Sequence, residues 1–266
     1  MATLKGNELI GLIGPLVIKR GKNGTKVLQT KSREYTQHKN SMKTSKMFGY
    51  GSSVACIIRS QLRTAFGSKW DSDMVNRFNT PVREVLNHCY NIETGTFNFE
   101  QDSFTRLGEF EFNIKSPLIN FLWVKPTMTL DGNTLKVTIP ELKVPGQFTF
   151  PKNTNVCEVR ISISQINMNQ ALEKSPLYYA FEITADQQIY PAKEDVFEIA
   201  NESLCAVAIC LAYFQRTGGI SIPYNSKKFN PSNVIGALIT PVSTYNPLLL
   251  RLVIQVIAKN GAIPQI

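Results

Sequence analysis

From residue 107 onward apolar residues recur at every second position, and that period limits what the chain can become. A strand sends alternate side chains to opposite faces, so a period of two marks a sheet with one side on a core. Phe110 and Phe112 alternate with Glu109, Glu111 and Asn113. After an Asp131-Gly132-Asn133 turn, Leu135, Val137 and Ile139 alternate with Thr134, Lys136 and Thr138. Val159, Ile161 and Ile163 repeat the pattern, as do Tyr179, Phe181 and Ile183. Leu204 to Phe214 is longer and more continuously apolar, and Val234 to Ile239 follows it. Leu248 to Ile257 closes the set as strand or helix, its β-branched residues favouring strand. Short strands separated by Pro and Gly predict an antiparallel β-sandwich.

Ahead of residue 107 the period changes. Val54, Ala55, Ile58, Leu62, Ala65 and Phe66 form one helical stripe behind Gly49 and Gly51, with Ser52-Ser53 as the expected N-cap. A second stripe runs through Met74, Phe78, Val82, Val85, Leu86 and Cys89 behind Ser72-Asp73, with Pro81 kinking or restarting the helix. Asn91 to Thr105 reads as a polar connector dotted with Phe97, Phe99 and Phe104. The expected fold class is α+β, mainly β. A basic N-terminal hairpin or arm covers 1–46, a short helical hairpin and connector 47–106, and the antiparallel β-sandwich 107–266.

Charge divides the chain differently. Of the net +9, residues 1–66 hold twelve Lys/Arg against Glu8 and Glu34, a net of +10, which leaves −1 for the other residues. Leu9 to Ile18 is apolar but too glycine-rich for a stable helix. Asn23-Gly24 suits a two-residue hairpin turn, because both positions accept positive φ. Strands are therefore expected at 16–20 and 26–30. An isolated hairpin is marginal in water, so this one needs more sheet, from its own chain or from a neighbour. Thr30 to Met47 is polar, basic and without a period, and is read as a loop or arm.

Two sets of candidate residues follow. The apolar set for assembly is Leu9, Ile10, Leu12, Ile13, Leu16, Val17, Ile18, Val27 and Leu28, a piece of sheet able to add to another sheet's edge. The set for phosphate or an acidic partner is Lys19, Arg20, Lys22, Lys26, Lys31, Arg33, Lys39, Lys43, Lys46, Arg59 and Arg63. Few aromatics are interleaved with these cations, which favours phosphate contacts over base stacking.

Patterns associated with catalysis are missing from the sequence. The histidines are His38 and His88, neither in a metal-ligand spacing. No nucleophile elbow, zincin motif or dinucleotide fingerprint occurs. Asp186, Glu194, Asp195, Glu198 and Glu202 read as a charged rim at strand ends. No catalytic, cofactor-binding or metal residue is therefore assigned, and an enzyme is not expected. Five scattered cysteines without a Cys-x-x-Cys point to free buried thiols and a reducing compartment. The expected location is the cytoplasm, or a particle assembled there. No apolar run reaches the roughly 18 residues of a bilayer span, so no membrane insertion is expected.

Ile13-Gly14-Pro15, Lys19-Arg20-Gly21-Lys22, and Phe48-Gly49 followed by Ser53 to Arg59 resemble an uncharacterised family of small Bacteroidota proteins. So does Leu107-Gly108-Glu109-Phe110-Glu111-Phe112-Asn113 before Ser116-Pro117-Leu118. The resemblance implies a basic arm, helices and then a β domain, and assigns no activity. The expected function is a non-enzymatic structural subunit, a homo-oligomer or polymer in the manner of a filament, lattice, shell or phage-like coat. In it, the N-terminal arm and the apolar Ala262 to Ile266 tail engage a neighbour. The alternative is a nucleic-acid-binding protein that uses the basic N-terminal segment.

Overall fold

The computed structural model describes residues 2–5, 8–21, 24–31, 38–91, 93–94, 97–99, 103–167, 175–201 and 203–240. The side chains of Lys5, 39–44 and 46 lie outside that description, as do Leu248 to Ile257, Ala262 to Ile266 and Glu202. The fold is α+β and mainly β, with antiparallel sheets. The chain divides into two compact units, Met1–Thr44 and Ser45–Ile266.

The first unit is a four-stranded antiparallel meander of β1 (Ala2–Lys5), β2 (Glu8–Ile13), β3 (Leu16–Arg20) and β4 (Lys26–Thr30). The two strands expected at 16–20 and 26–30 are present, and β1 and β2 extend them. The β3–β4 connection is longer than the two residues that Asn-Gly suggests: Arg20 pairs with Lys26, and the Gly21 amide donates to the Thr25 carbonyl. Gly24 takes φ 76° in that loop, and Asn23 lies outside the described residues.

Two helices begin the second unit's core. Helix α1 spans Lys39–Phe66 and α2 spans Met74–Cys89. Part of the stretch expected to be an arm, Thr30 to Met47, is thus helical from Lys39, and α1 runs unbroken through Gly49 and Gly51. Tertiary packing outweighs propensity here. A Cβ on Gly51 would sit 3.2 Å from the Arg83 Cα of α2, so glycine allows the helices to approach. Ser53 is no cap, and its hydroxyl donates back to the Gly49 carbonyl. Pro81 lies inside α2, which continues past it, and Asp73 stands at the N-cap without a side-chain capping bond.

Residues 107–113 do not form the expected strand. They follow a 3-10 turn at Phe104–Leu107, and Glu109 adopts φ 62°. The alternation is nevertheless real, because Phe110 and Phe112 both pack on Phe78, edge-on and stacked respectively.

The remaining strands are β5 (Thr127–Asp131), β6 (Thr134–Ile139), β7 (Leu142–Lys143), β8 (Val156–Asn167), β9 (Leu177–Thr184), β10 (Ile189–Tyr190), β11 (Lys193–Glu198), β12 (Ser203–Thr217), β13 (Ile220–Pro223) and β14 (Ser232–Ile239). One sheet runs β13-β12-β8-β9 with β14 also on β12; another runs β11-β6-β5; β10 pairs with β7. The β8–β12 pair has both faces buried, and the sequence sorts residues by face. Val159, Ile161, Ile163, Val207, Ile209, Leu211 and Tyr213 join Leu135, Val137 and Ile139 of β6 in the core between the sheets. Ala206 and Ala208 face α1 and α2 with Ser162 and Ser164 directly across the ladder. Small residues on that face let the helix backbone approach the sheet.

Gln61 of α1, buried at 5% exposure, closes that layer. Its side-chain oxygen accepts from the Ser164 hydroxyl (2.8 Å) and the Gln165 amide (2.8 Å). Its side-chain nitrogen donates to the Gln165 carbonyl (3.4 Å), and its own backbone carbonyl accepts from the Ser162 hydroxyl (3.1 Å). The β8–β9 register ends with Ile163 opposite Leu177. Two residues further on, the Gln61 amide takes the place of a strand on Gln165. Asn155 does the same for Arg216 at the end of the β8–β12 ladder (2.7 and 2.8 Å). Asn225 bridges the Tyr213 amide and the Leu211 carbonyl (2.7 Å each), between the lengths of β12 that pair with β14 and β13. Truncating Gln61 orphans buried donors and acceptors that water cannot reach. Gln61→Ala should lower stability by about 1–3 kcal/mol in urea unfolding, and more than Asn155→Ala at the exposed sheet end.

Candidate assembly surface

The N-terminal sheet lacks a core of its own. None of its described side chains is buried, and Leu4, Leu9, Ile13, Leu16 and Leu28 are 37–71% exposed. The strand register assigns its faces, since directly opposed residues point the same way. Leu4 opposes Leu9, Ile13 opposes Leu16, and Ile18 opposes both Gly11 and Leu28. Leu4, Leu9, Ile13, Leu16, Ile18 and Leu28 therefore share one face. The other carries Ile10, Leu12, Val17 and Val27, all half-buried. The nine apolar candidates are thus split between two faces, and Leu4 of β1 is an addition that sequence reading missed. Its signal was weak, because Ala2-Thr3-Leu4-Lys5 is too short to show a period.

The basic candidates are dispersed. Lys19, Arg20 and Lys26 sit at one end of the β3–β4 hairpin, where Arg20 opposes Lys26 and pairs with the Glu8 carboxylate. Lys31 follows β4, and its amide donates to the Pro15 carbonyl. Lys22 and Arg33 lie outside the described residues; Lys39, Lys43 and Lys46 lie on α1 with side chains outside the description. Arg59 is built into the second unit. Its guanidinium donates to Asn79 on α2 and lies 5.6 Å from the Phe78 ring centre, and burial pushes its pKa down. Arg63 is exposed and stacks 5.9 Å from the Trp70 ring.

The acids expected at a rim do not converge. Glu194, Asp195 and Glu198 lie on β11, with Asp195 turned towards the half-buried side and Glu194 ion-paired to Lys136. Asp186 stands in the turn after β9. Among the described residues no three His, Cys, Asp or Glu side chains come together as metal ligands do. The thiols of Cys89, Cys157, Cys205 and Cys210 are buried and that of Cys56 half-buried, none of them in a disulfide. No helix among the described residues is long and apolar enough to cross a membrane.

Buried charge gathers instead where α2 begins. Arg77 pairs with the Asp71 carboxylate and donates to the Glu111 carbonyl (3.0 Å). Burial pushes the Asp71 carboxyl up, but the Ile114 and Asp73 amides and Arg77 bring it below its ordinary value. Glu111 accepts from the Leu118 amide (3.1 and 3.2 Å), yet burial dominates and raises its pKa from 4.5 to about 7.

Comparison with protein-family models, with curated proteins and with solved structures gives no match to this chain.

Folded Glu111 keeps its proton up to about pH 7, while an unfolded glutamate releases it near 4.5. Between those values the native state binds more protons, so this group's contribution to stability is full at low pH and is lost as pH rises through 7. Urea midpoints from about pH 5 to pH 8 should therefore fall less for Glu111→Gln than for the wild-type chain.

Proposed function

We propose that the protein is a non-enzymatic structural subunit that assembles with copies of itself through its N-terminal four-stranded sheet. The observation that carries this reading is a sheet with no buried side chain among its described residues, five large exposed apolar residues, and edge strands β1 and β4. A stable sheet needs a covered hydrophobic face. Five such side chains, each about half exposed, leave on the order of 5 kcal/mol of apolar burial unrealised. Association costs roughly 4–15 kcal/mol in lost freedom and ordering, so covering this face alone is marginal. Backbone hydrogen bonds along an edge strand add the rest, and side-chain alternation sets the register. Filaments, lattices and shells all follow from a subunit whose arm engages its neighbour.

Light scattering coupled to size exclusion tests the reading. The wild-type chain should run as a multimer whose mass rises with concentration. Leu9→Ser/Leu16→Ser/Leu28→Ser should shift it to the 29.8 kDa monomer without unfolding the second unit. A wild-type monomer at every concentration would refute self-assembly.

Nucleic-acid binding is the second reading, favoured by the opposition of Arg20 to Lys26, which sets two cations at one end of the sheet. Phosphate contacts release counterions, so duplex affinity should fall steeply between about 50 and 200 mM salt. A flat salt dependence would exclude it.

A further inference from the structure

Most strand edges in the second unit carry some protection against pairing with another chain. β11 turns Lys193 and Asp195 to its half-buried side and shows Glu194 and Glu198 outward; inward charges blunt an edge. β13 has four residues and ends in Pro223. β14 is flanked by residues 109–112, through Glu109 and Phe112 amides donating to it and its Val234 amide donating to Phe110. β5 lies against β14, with Met128 closely packed over Gly236. β9 differs. It is eight residues long, Leu177–Thr184, with no proline, no lysine and Glu182 as its one charge. It ends its sheet, paired with β8 alone among the described strands.

The direction of its backbone groups follows from the register. The Ala185 amide donates to the Asn155 carbonyl, and the ladder runs without a shift from Val156 opposite Thr184 to Ile163 opposite Leu177. Residues 183, 181, 179 and 177 therefore bond to β8, and the N–H and C=O of Tyr178, Ala180 and Glu182 point away from it. The same parity on β4 comes from the Lys31 amide donating to the Pro15 carbonyl. Lys26, Leu28 and Thr30 present their backbone groups away from β3.

We propose that β9 of one copy receives β4 of a second copy as an added antiparallel strand. This rests on the reading of the N-terminal sheet as the assembly element and names the surface that it engages. Charge favours the pairing: β4 is bracketed by Lys26 and Lys31, while β9 holds no cation and is followed by exposed Asp186. Glu182 is answered by Arg216 within its own sheet, which leaves Asp186, just past Thr184, as the acid that meets Lys26. Packing favours it too. The rings of Tyr179 and Phe181 are only half-buried beneath the Lys193 ammonium, which lies 5.0 and 4.8 Å from their centres, and an incoming strand covers the edge they leave exposed. Pairing of one edge with a different edge is heterologous, so copies continue into a ring or an open polymer.

Ala180 gives the decisive variant, because its amide points away from β8 and its side chain is exposed. Ala180→Pro removes an outward donor without breaking a bond to β8. Ala180→Lys leaves the backbone intact and sets a cation against the lysines of β4, and it decides the matter if the proline variant fails to fold. Both should dissociate the wild-type multimer in sedimentation velocity, raising the midpoint concentration of assembly at least tenfold. Ala180→Glu should leave it assembled. Oxidising a mixture of Ala180→Cys and Thr30→Cys chains should give a covalent dimer joining one chain of each kind. If the Leu9/Leu16/Leu28 serine variant dissociates and the Ala180 variants do not, the arm engages another surface and this proposal is overturned while self-assembly stands. If the Ala180 variants dissociate and the serine variant does not, β9 pairs with something other than the arm, which also overturns it. In a chain carrying both cysteine substitutions, a disulfide that closes within the monomer and never between chains overturns it as well. A wild-type chain that is always monomeric overturns both readings.

Discussion

A sheet covered on both faces cannot rely on alternation of apolar and polar residues, because neither face is left to water. The β8–β12 pair solves this by size. Isoleucine, valine and tyrosine fill the side towards β6, while alanine and serine leave room for α1 on the other. That asymmetry brings a helix backbone close enough for Gln61 to bond with three β8 residues, Ser162, Ser164 and Gln165. Helix, sheet and sandwich core are thereby referred to one strand pair. Replacing Ala206 or Ala208 by a larger residue would push α1 off its hydrogen bonds before it filled any void.

Side-chain amides carry the same function wherever a ladder runs out. An Asn or Gln amide offers one donor and one acceptor in a plane, which matches a peptide group on an adjacent strand. Gln61, Asn155 and Asn225 each present both groups to a β8 or β12 backbone on the side where no strand bonds to it. Asn230 extends the scheme inward. Its side chain accepts from Asn225 and donates to the Phe66 carbonyl at the end of α1. Buried backbone groups left without partners cost more than the amide's own burial, so Gln61 and Asn230 stabilise an interior that apolar residues would not.

The β-rich body was legible because its period is strict: Leu135, Val137 and Ile139 face the core that the alternation assigns them. The stripe Met74, Phe78, Val82, Val85, Leu86 and Cys89 is likewise the buried face of α2, despite Pro81. What escaped was set by distant partners. The start of α1 at Lys39 carries no apolar stripe, and Gly51 reads as a breaker until Arg83 lies against it. Phe110 and Phe112 show a strand's period without its ladder, because their rings pack on Phe78 while Glu109 turns the backbone. β11 hid behind Lys193, Glu194 and Asp195, charges that belong to an edge strand. In the N-terminal set, apolar character was evident but the division into two faces was not, since a face is defined by register with neighbours and β1 shows no period alone.

The two units differ in how complete they are. The second buries aromatic, aliphatic and polar side chains in two connected layers on either side of β8 and β12. The first has regular strands and no buried side chain among its described residues. Backbone hydrogen bonds alone give little net stability in water, because the unfolded chain bonds to solvent instead. A meander that exposes Leu4 and Leu28 thus has most of its stabilising energy still to gain, and it can gain it only by being covered. Its cations at the hairpin end work against indiscriminate stacking of such sheets, since Arg20 and Lys26 of two like faces would repel. The proposed partner β9 carries no Lys or Arg of its own, and the cations beside it are already engaged, Lys193 over the Tyr179 and Phe181 rings and Arg216 with Glu182, whereas a second N-terminal sheet would set like cations face to face.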